Sequence, residues 1–302
     1  MPTRLCSATC WGCDCRQARH PPRRALPSAP PRRRESLTSD PNQLAARQIR
    51  TSVVSTLRAV SPLVVAASGG EYGGMADVTV RRVDFGYFVR PAEETGTGVP
   101  RVEPCLGYAV GHPEGMILFD TGMGSHPEVD RHYRPRRVGL REALAAIGIQ
   151  ICDIRLAANC HLHFDHCGGN PLLGQIPVFV QEIELGTARQ APEYTLPELI
   201  EGSRFEQLTG QVEMLPGVFL MPTPGHTDGH QSLIVRRPDG AVIVAGQSHD
   251  TATQYAADQL AWQAHRDAHD QPLPDIPDWI DALQQLNPRI VYFAHDRSVW
   301  TP

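Results

Sequence analysis

Four side chains able to bind a metal fall within six residues at His161-Leu-His163-Phe-Asp165-His166. The cluster follows an apolar run, Ile154 to Cys160, and leads into Cys167-Gly168-Gly169-Asn170. A strand that empties into a glycine-rich turn aims alternate side chains at one point, and the turn brings the next two round. Neutral imidazoles and a carboxylate are the borderline ligands that Zn²⁺ prefers, and such sets leave positions open for water. The chemistry this spacing points to is metal-assisted hydrolysis.

Thirteen histidines in 302 residues will sometimes cluster by chance. Two further stretches argue against chance here. Pro224-Gly225-His226-Thr227-Asp228-Gly229-His230 precedes an alternating run, Gln231 to Arg236, and His295 closes the apolar run Ile290 to Ala294. Each of these histidines stands where a strand should stop, the place where a rigid scaffold presents its chemistry. No Gly-x-Ser-x-Gly elbow offers a serine nucleophile instead. Cys160 and Cys167, which flank the cluster, read as a strand-end core thiol and a turn residue.

These stretches, together with Phe119-Asp120-Thr121-Gly122, resemble the metallo-β-lactamase superfamily of hydrolases over about residues 76 to 302. Two segments, 161–170 and 224–232, are most similar to the N-acyl homoserine lactonase-like branch. The resemblance implies an α/β fold, a four-layer αββα sandwich with its metals along one edge. It assigns His161, His163 and His226 to a first metal and Asp165, His166 and His295 to a second. Asp120 becomes the carboxylate behind a ligand. Zn²⁺ is the implied metal, one or two per chain, with Mn²⁺, Fe²⁺ and Co²⁺ accepting similar ligands. The implied reaction is attack of a metal-bound hydroxide on the carbonyl of an ester, most readily a lactone, with Asp165 orienting it and passing a proton to the leaving group. His230 either meets the substrate or holds its turn.

Two positions depart from the pattern. Where the family places a metal-bridging Asp after a glycine, this chain has Gly246-Gln247. A glutamine oxygen can touch a metal but brings no charge, which should weaken the second site. His249 and Asp250 follow closely, but either could replace the missing carboxylate only from a bent strand end. Asp250 also stands where the lactonase branch places a tyrosine, with Tyr255 nearby but displaced. Two alternatives therefore stay open: a thioester hydrolase of the hydroxyacylglutathione type, and a non-catalytic metal-binding protein with a weakened second site.

Composition narrows the partners. The chain has no lysine; residues 1–74 carry 11 Arg against 4 acidic residues, and residues 75–302 carry 17 Arg against 29. An acidic body repels a phosphate backbone, so nucleic acid is not expected as substrate. No apolar run approaches the roughly 20 residues that span a bilayer. Reduced thiols and a cytoplasmic location are the default reading. The expected partner is a small-molecule ester, lactone or thioester, and the resemblance leaves room for a homodimer. The Arg-, Pro- and Ser-rich segment 1–74 reads as a disordered tail or an upstream extension, with Met75 opening the hydrolase domain that runs to Pro302. Its cysteines, Cys6, Cys10, Cys13 and Cys15, match no standard zinc hook.

The elements that must position the site alternate strand and helix. Strands are expected at 78–89, 106–110, 116–119, 154–159, 177–180, 218–221, 232–235, 242–245 and 290–294. Helices are expected at 139–147, from about 182, at 255–268 and at 278–286. A loop is expected at 91–104, a solvated loop at Arg131–Arg137, and partly helical cover over the site at 191–213.

Overall fold

A computed structural model describes residues 78–191, 193–267 and 270–302. The N-terminal expectations, including the cysteines before residue 16, lie outside the described residues. Among the described residues, twelve strands form two sheets that are contiguous in sequence. The first sheet holds β1 (Thr79–Arg90), β2 (Arg101–His112), β3 (Gly115–Phe119), β4 (Arg136–Arg137), β5 (Ile154–Ala158), β6 (Val178–Gln181) and β7 (Phe205–Leu208). Its spatial order is β4-β1-β2-β3-β5-β6-β7. The second holds β8 (Val212–Leu215), β9 (Val218–Pro222), β10 (Gln231–Arg237), β11 (Gly240–Val244) and β12 (Pro288–Tyr292), ordered β12-β11-β10-β9-β8. The helices are α1 (Pro127–Tyr133), α2 (Leu140–Ala146), α3 (Phe164–Cys167), α4 (Glu182–Gln190), α5 (Pro197–Ile200), α6 (Ala252–Arg266) and α7 (Ile280–Gln284).

Period-2 alternation sorts the strand residues into layers. Leu106, Tyr108 and Val110 of β2, Ile117 and Phe119 of β3, Leu233 and Val235 of β10, and Val242 and Val244 of β11 meet in one core between the sheets. Their neighbours face outward. Ala109 and Leu118 pack with Leu140, Leu144 and Leu185 of the helices over the first sheet. Phe219, Ile234 and Ile243 pack with Tyr255, Ile280 and Leu283 of α6 and α7 over the second. Three cores between four layers make the αββα sandwich expected above. Among the described residues, no helix is long and apolar enough to cross a membrane.

Three expectations need correction. The loop at 91–104 ends early, because residues 101–104 already pair with β1, Arg90 opposite Arg101. The supposed solvated loop at 131–137 is the end of α1 followed by β4. Pro127 and the His126 cap start that helix, Tyr133 is buried, and Arg137 bonds the Gly124 carbonyl and Asp130. The 191–213 segment is partly helical as expected, through the turn α5, and continues into β7 and the first residues of β8. Helix α6 starts earlier than its apolar pattern shows, because Thr251 and Gln254 form a capping box.

Candidate metal centre

The parallel pairing of β3 with β5, Phe119 beside Ala158, brings two loops together at one sheet edge. Asp120 follows β3 with φ 64°, a left-handed conformation that short polar side chains tolerate. That turn lets its carboxylate reach both the Cys160 N–H, at 2.8 Å, and His166 Nδ1, at 3.0 Å. The turn behind it is braced by polar pairs. Thr121 donates to Asn170, Asn170 donates to Asn159, and Asn159 donates to the His166 carbonyl.

Gly168 lets the two turns meet backbone to backbone, its N–H bonding the Gly122 carbonyl at 2.7 Å. A Cβ at Gly168 would stand 2.1 Å from the Gly124 nitrogen. Gly168→Ala is therefore expected to destabilise the fold by about 1–3 kcal/mol through forced backbone shifts. Thermal unfolding checks this, and an unchanged Tm would show that the turns are not locked together.

The site histidines and Asp165 gather into two triads. His161 Nε2 lies 2.8 Å from His163 Nδ1, and His226 Nε2 lies 3.2 Å from the same atom. Across from them, the Asp165 carboxylate lies 3.6 Å from His166 Nε2 and 3.4 Å from His295 Nε2, and those two nitrogens are 3.2 Å apart. Within each triad the three potential donor atoms fall within 4.8 Å of one another. His226 comes from the loop between β9 and β10, and His295 from just past β12, so both sheets contribute.

The electrostatics of the triads differ. Burial pushes His161 and His226 well below the usual imidazole range and His163 down to about 4, with neighbouring imidazoles adding to it for His161 and His226. These rings are neutral and carry lone pairs. Burial also lowers His295, whose Nδ1 bonds the Pro104 carbonyl and so leaves Nε2 facing the triad. For His166 burial acts downward, but Asp165 and Asp120 on either side hold it up at about 9. Burial acts upward on Asp165, yet the surrounding imidazoles keep its carboxyl below the usual range. Three neutral nitrogens in one set, and two nitrogens with an ionised carboxylate in the other, fit divalent borderline cations such as Zn²⁺.

Gln247 stands beside the second triad, its Oε1 3.3 Å from His166 Nε2. The side chain is oriented from behind, since its Nε2 donates to Asp250 at 3.1 Å. Asp250 in turn takes Arg101 at 2.7 Å, Arg101 bonds Glu103 at 2.6 Å, and Glu103 clasps buried Arg90 through two bonds of 2.7 and 2.8 Å. Asp250 is thus placed behind Gln247. His249 faces Asp258 and Ser248, away from both triads. His230 is fully buried, with Nδ1 on Thr223 and Nε2 accepting the Gln247 N–H, so it holds the turn. Tyr255 is buried against α7 and takes Gln284 on its hydroxyl.

Other site features have no motif to announce them. Glu184 is buried and accepts from the Leu162 N–H, Thr227 and Tyr194, tying both histidine loops to the 191–200 segment. Burial raises its carboxyl above the usual range, against the pull of those donors. The Tyr194 ring lies on His163 with centroids 4.6 Å apart. Above the triads opens a cleft with an apolar wall of Phe88, Val129, Tyr133, Phe164 and Leu196. His163, Asp165, His226, Gln247 and Arg90 line its polar end, and Glu193 stands exposed on its rim.

The sequence profile described as the metallo-beta-lactamase superfamily matches residues 100–295. An N-acyl homoserine lactonase from a Bacillus species is 33% identical over 148 residues, 44% of this chain and 58% of that protein. The chain thus spans just over half the length of that relative. An N-acyl homoserine lactonase from Bacillus cereus is 27% identical over 209 residues, 64% of this chain and 81% of that protein. Among solved structures, an N-acyl homoserine lactone hydrolase with the product N-hexanoyl-L-homoserine bound at its catalytic metal centre superposes with a TM-score of 0.58. It is 23% identical, over 72% of this chain and 93% of that one, a likeness of fold.

Proposed function

The chain belongs to the metallo-beta-lactamase superfamily, and from that premise we propose that it is a metal-dependent hydrolase of carboxylic esters whose preferred substrate is a lactone bearing an apolar acyl group. The observation that carries this reading is the meeting of two donor triads at the polar end of an aromatic-walled cleft. His161, His163 and His226 would hold one divalent metal, and Asp165, His166 and His295 a second, with Gln247 Oε1 facing the second. A metal there supplies Lewis acidity and brings the pKa of a water down to roughly 7.

The chain's own groups do the rest. Asp165, ionised and lining the cleft, is placed to take a proton from the attacking water and to return it to the ring oxygen as the acyl C–O bond breaks. The products are a carboxylate and an alcohol on one molecule. Phe88, Val129, Tyr133, Phe164 and Leu196 exclude water from the acyl group and hold its chain. The two relatives above are named N-acyl homoserine lactonases, which supports the lactone assignment. The cleft suits a glutathione thioester less well. Such a substrate carries two carboxylates, whereas Arg90 is already clasped by Glu103 and the rim presents Glu193.

The test is turnover of N-acyl homoserine lactones of increasing chain length beside a glutathione thioester. Each added methylene that reaches the wall should raise kcat/KM by up to about fourfold, the equivalent of ~0.8 kcal/mol. Faster turnover of the thioester would replace the lactone assignment. No turnover of either ester by metal-loaded protein would leave a metal-binding protein without this activity.

A further inference from the structure

The two triads share one point of support away from the cleft. Cys160 is completely buried and directly precedes His161. Its Sγ lies 3.1 Å from Nδ1 of His161 and 3.2 Å from Nδ1 of His166. These are the ring nitrogens that face away from the triads, since both rings turn Nε2 toward their partners. The Cys160 main chain is itself anchored, its N–H bonding the same Asp120 carboxylate that meets His166. Gly246 closes the space over the sulfur. A Cβ there would stand 2.5 Å from Cys160 Cβ and 3.0 Å from Sγ, and Gly246 has φ 60° besides.

A histidine that offers Nε2 to a metal carries its hydrogen on Nδ1, and that hydrogen needs an acceptor to fix the ring. His166 has the Asp120 carboxylate. For His161 the neighbouring atom is the Cys160 sulfur. We propose that Cys160 is a positioning residue for the metal centre: its sulfur accepts the His161 Nδ1 hydrogen, and its main chain ties that ring to the Asp120 carboxylate that orients His166. The two metal sites are then oriented through one connected unit, Cys160 with Asp120. Sulfur is a weak acceptor beside a carboxylate, so the first triad gets the softer support of the two. The inference rests on reading the triads as metal sites.

The experiment titrates the metal-free full chain with Zn²⁺ and with Co²⁺ and compares wild type, Cys160→Ser and Cys160→Ala. Cys160→Ala should weaken one of the two sites by 10- to 100-fold, as removal of an outer partner of a ligating histidine does. Cys160→Ser, which keeps an acceptor, should restore most of that affinity while altering the Co²⁺ d–d spectrum. In ¹⁵N-histidine spectra of the Zn²⁺-loaded protein, Cys160→Ser should shift the His161 Nδ1–H resonance. That resonance decides the matter even if Cys160→Ala does not fold. Unchanged affinity at both sites in Cys160→Ala, or an unmoved His161 resonance in Cys160→Ser, would overturn the proposal. A sulfur-to-cobalt charge-transfer band in the wild type would overturn it too, by making Cys160 a ligand in the set it can form with His161 and His166. Failure of the wild type to bind any metal would remove the metal reading along with it.

Discussion

Asp165→Asn is expected to lower kcat/KM for the preferred ester by 10²- to 10⁴-fold, the range that a positioned acid–base group contributes. The substitution keeps shape and removes charge. In the native chain, burial acts to raise the Asp165 carboxyl, and His166, His295 and His163 outweigh it, so the group stands ionised at the cleft wall. An amide in its place can neither take the proton of the attacking water nor hand it to the departing alkoxide. Asp165 is also the single carboxylate of its triad, so metal content must be measured on the same sample. Full activity with full metal content would show that the proton moves by another route. A loss of metal that parallels the loss of activity would assign the effect to binding.

Glu103→Ala is expected to destabilise the fold by about 3–5 kcal/mol, the cost of breaking a buried ion pair from one side. Arg90 and Glu103 are 6% and 1% exposed, and the carboxylate meets both Arg90 and Arg101. Removing it takes away the carboxylate that faces the buried Arg90 guanidinium. For a domain of this size the loss corresponds to a fall of roughly 6–20 °C in Tm. The double variant Arg90→Met/Glu103→Leu should recover most of it, because well-packed apolar residues often replace buried pairs at little cost. Urea unfolding of the single and double variants gives the comparison. A loss below about 1 kcal/mol in Glu103→Ala would show that water reaches this pair freely.

Much of the scaffold was legible because its strands obey simple periods. β3 and β5 read as apolar runs ending in Asp120 and in the histidine cluster. β9 to β12 read as short runs bounded by Gly, Pro and Asp, with β9, β11 and β12 ending near a candidate ligand. The grouping of the ligands into two triads came from the family resemblance, and the places where those runs stop agree with it. The parts that escaped depend on contacts with no local signature. Arg101 to Pro104 looks like loop because Arg, Glu and Pro interrupt it, yet Glu103 turns inward to Arg90 and the segment pairs with β1. The run Arg131–Arg137 looks solvated by charge, but Tyr133 is buried and the chain ends a helix there. β7 and β8 are too short and too polar to stand out. Glu184 and Tyr194 join the site only through tertiary packing, and nothing in their spacing distinguishes them from ordinary surface residues.

Gln247 shows the same division. Its identity marks a missing charge, and its sequence neighbours His249 and Asp250 look like candidates to replace it. The structure turns His249 toward Asp258 and places Asp250 behind the glutamine amide, so that the uncharged oxygen of Gln247 is the atom presented to the second triad. The second site keeps two anions in reach, Asp165 in the triad and Asp120 behind His166. The first site has neutral imidazoles alone, with a thiol behind His161.

Under the proposed function, each triad should hold one divalent metal. Zinc content per chain, measured by elemental analysis on the full-length protein and on the variants His161→Ala/His226→Ala and His166→Ala/His295→Ala, tests it most directly. Two metals are expected in the unmodified chain and one in each variant. A single metal that survives the loss of either pair, or no metal in the unmodified chain, would contradict it.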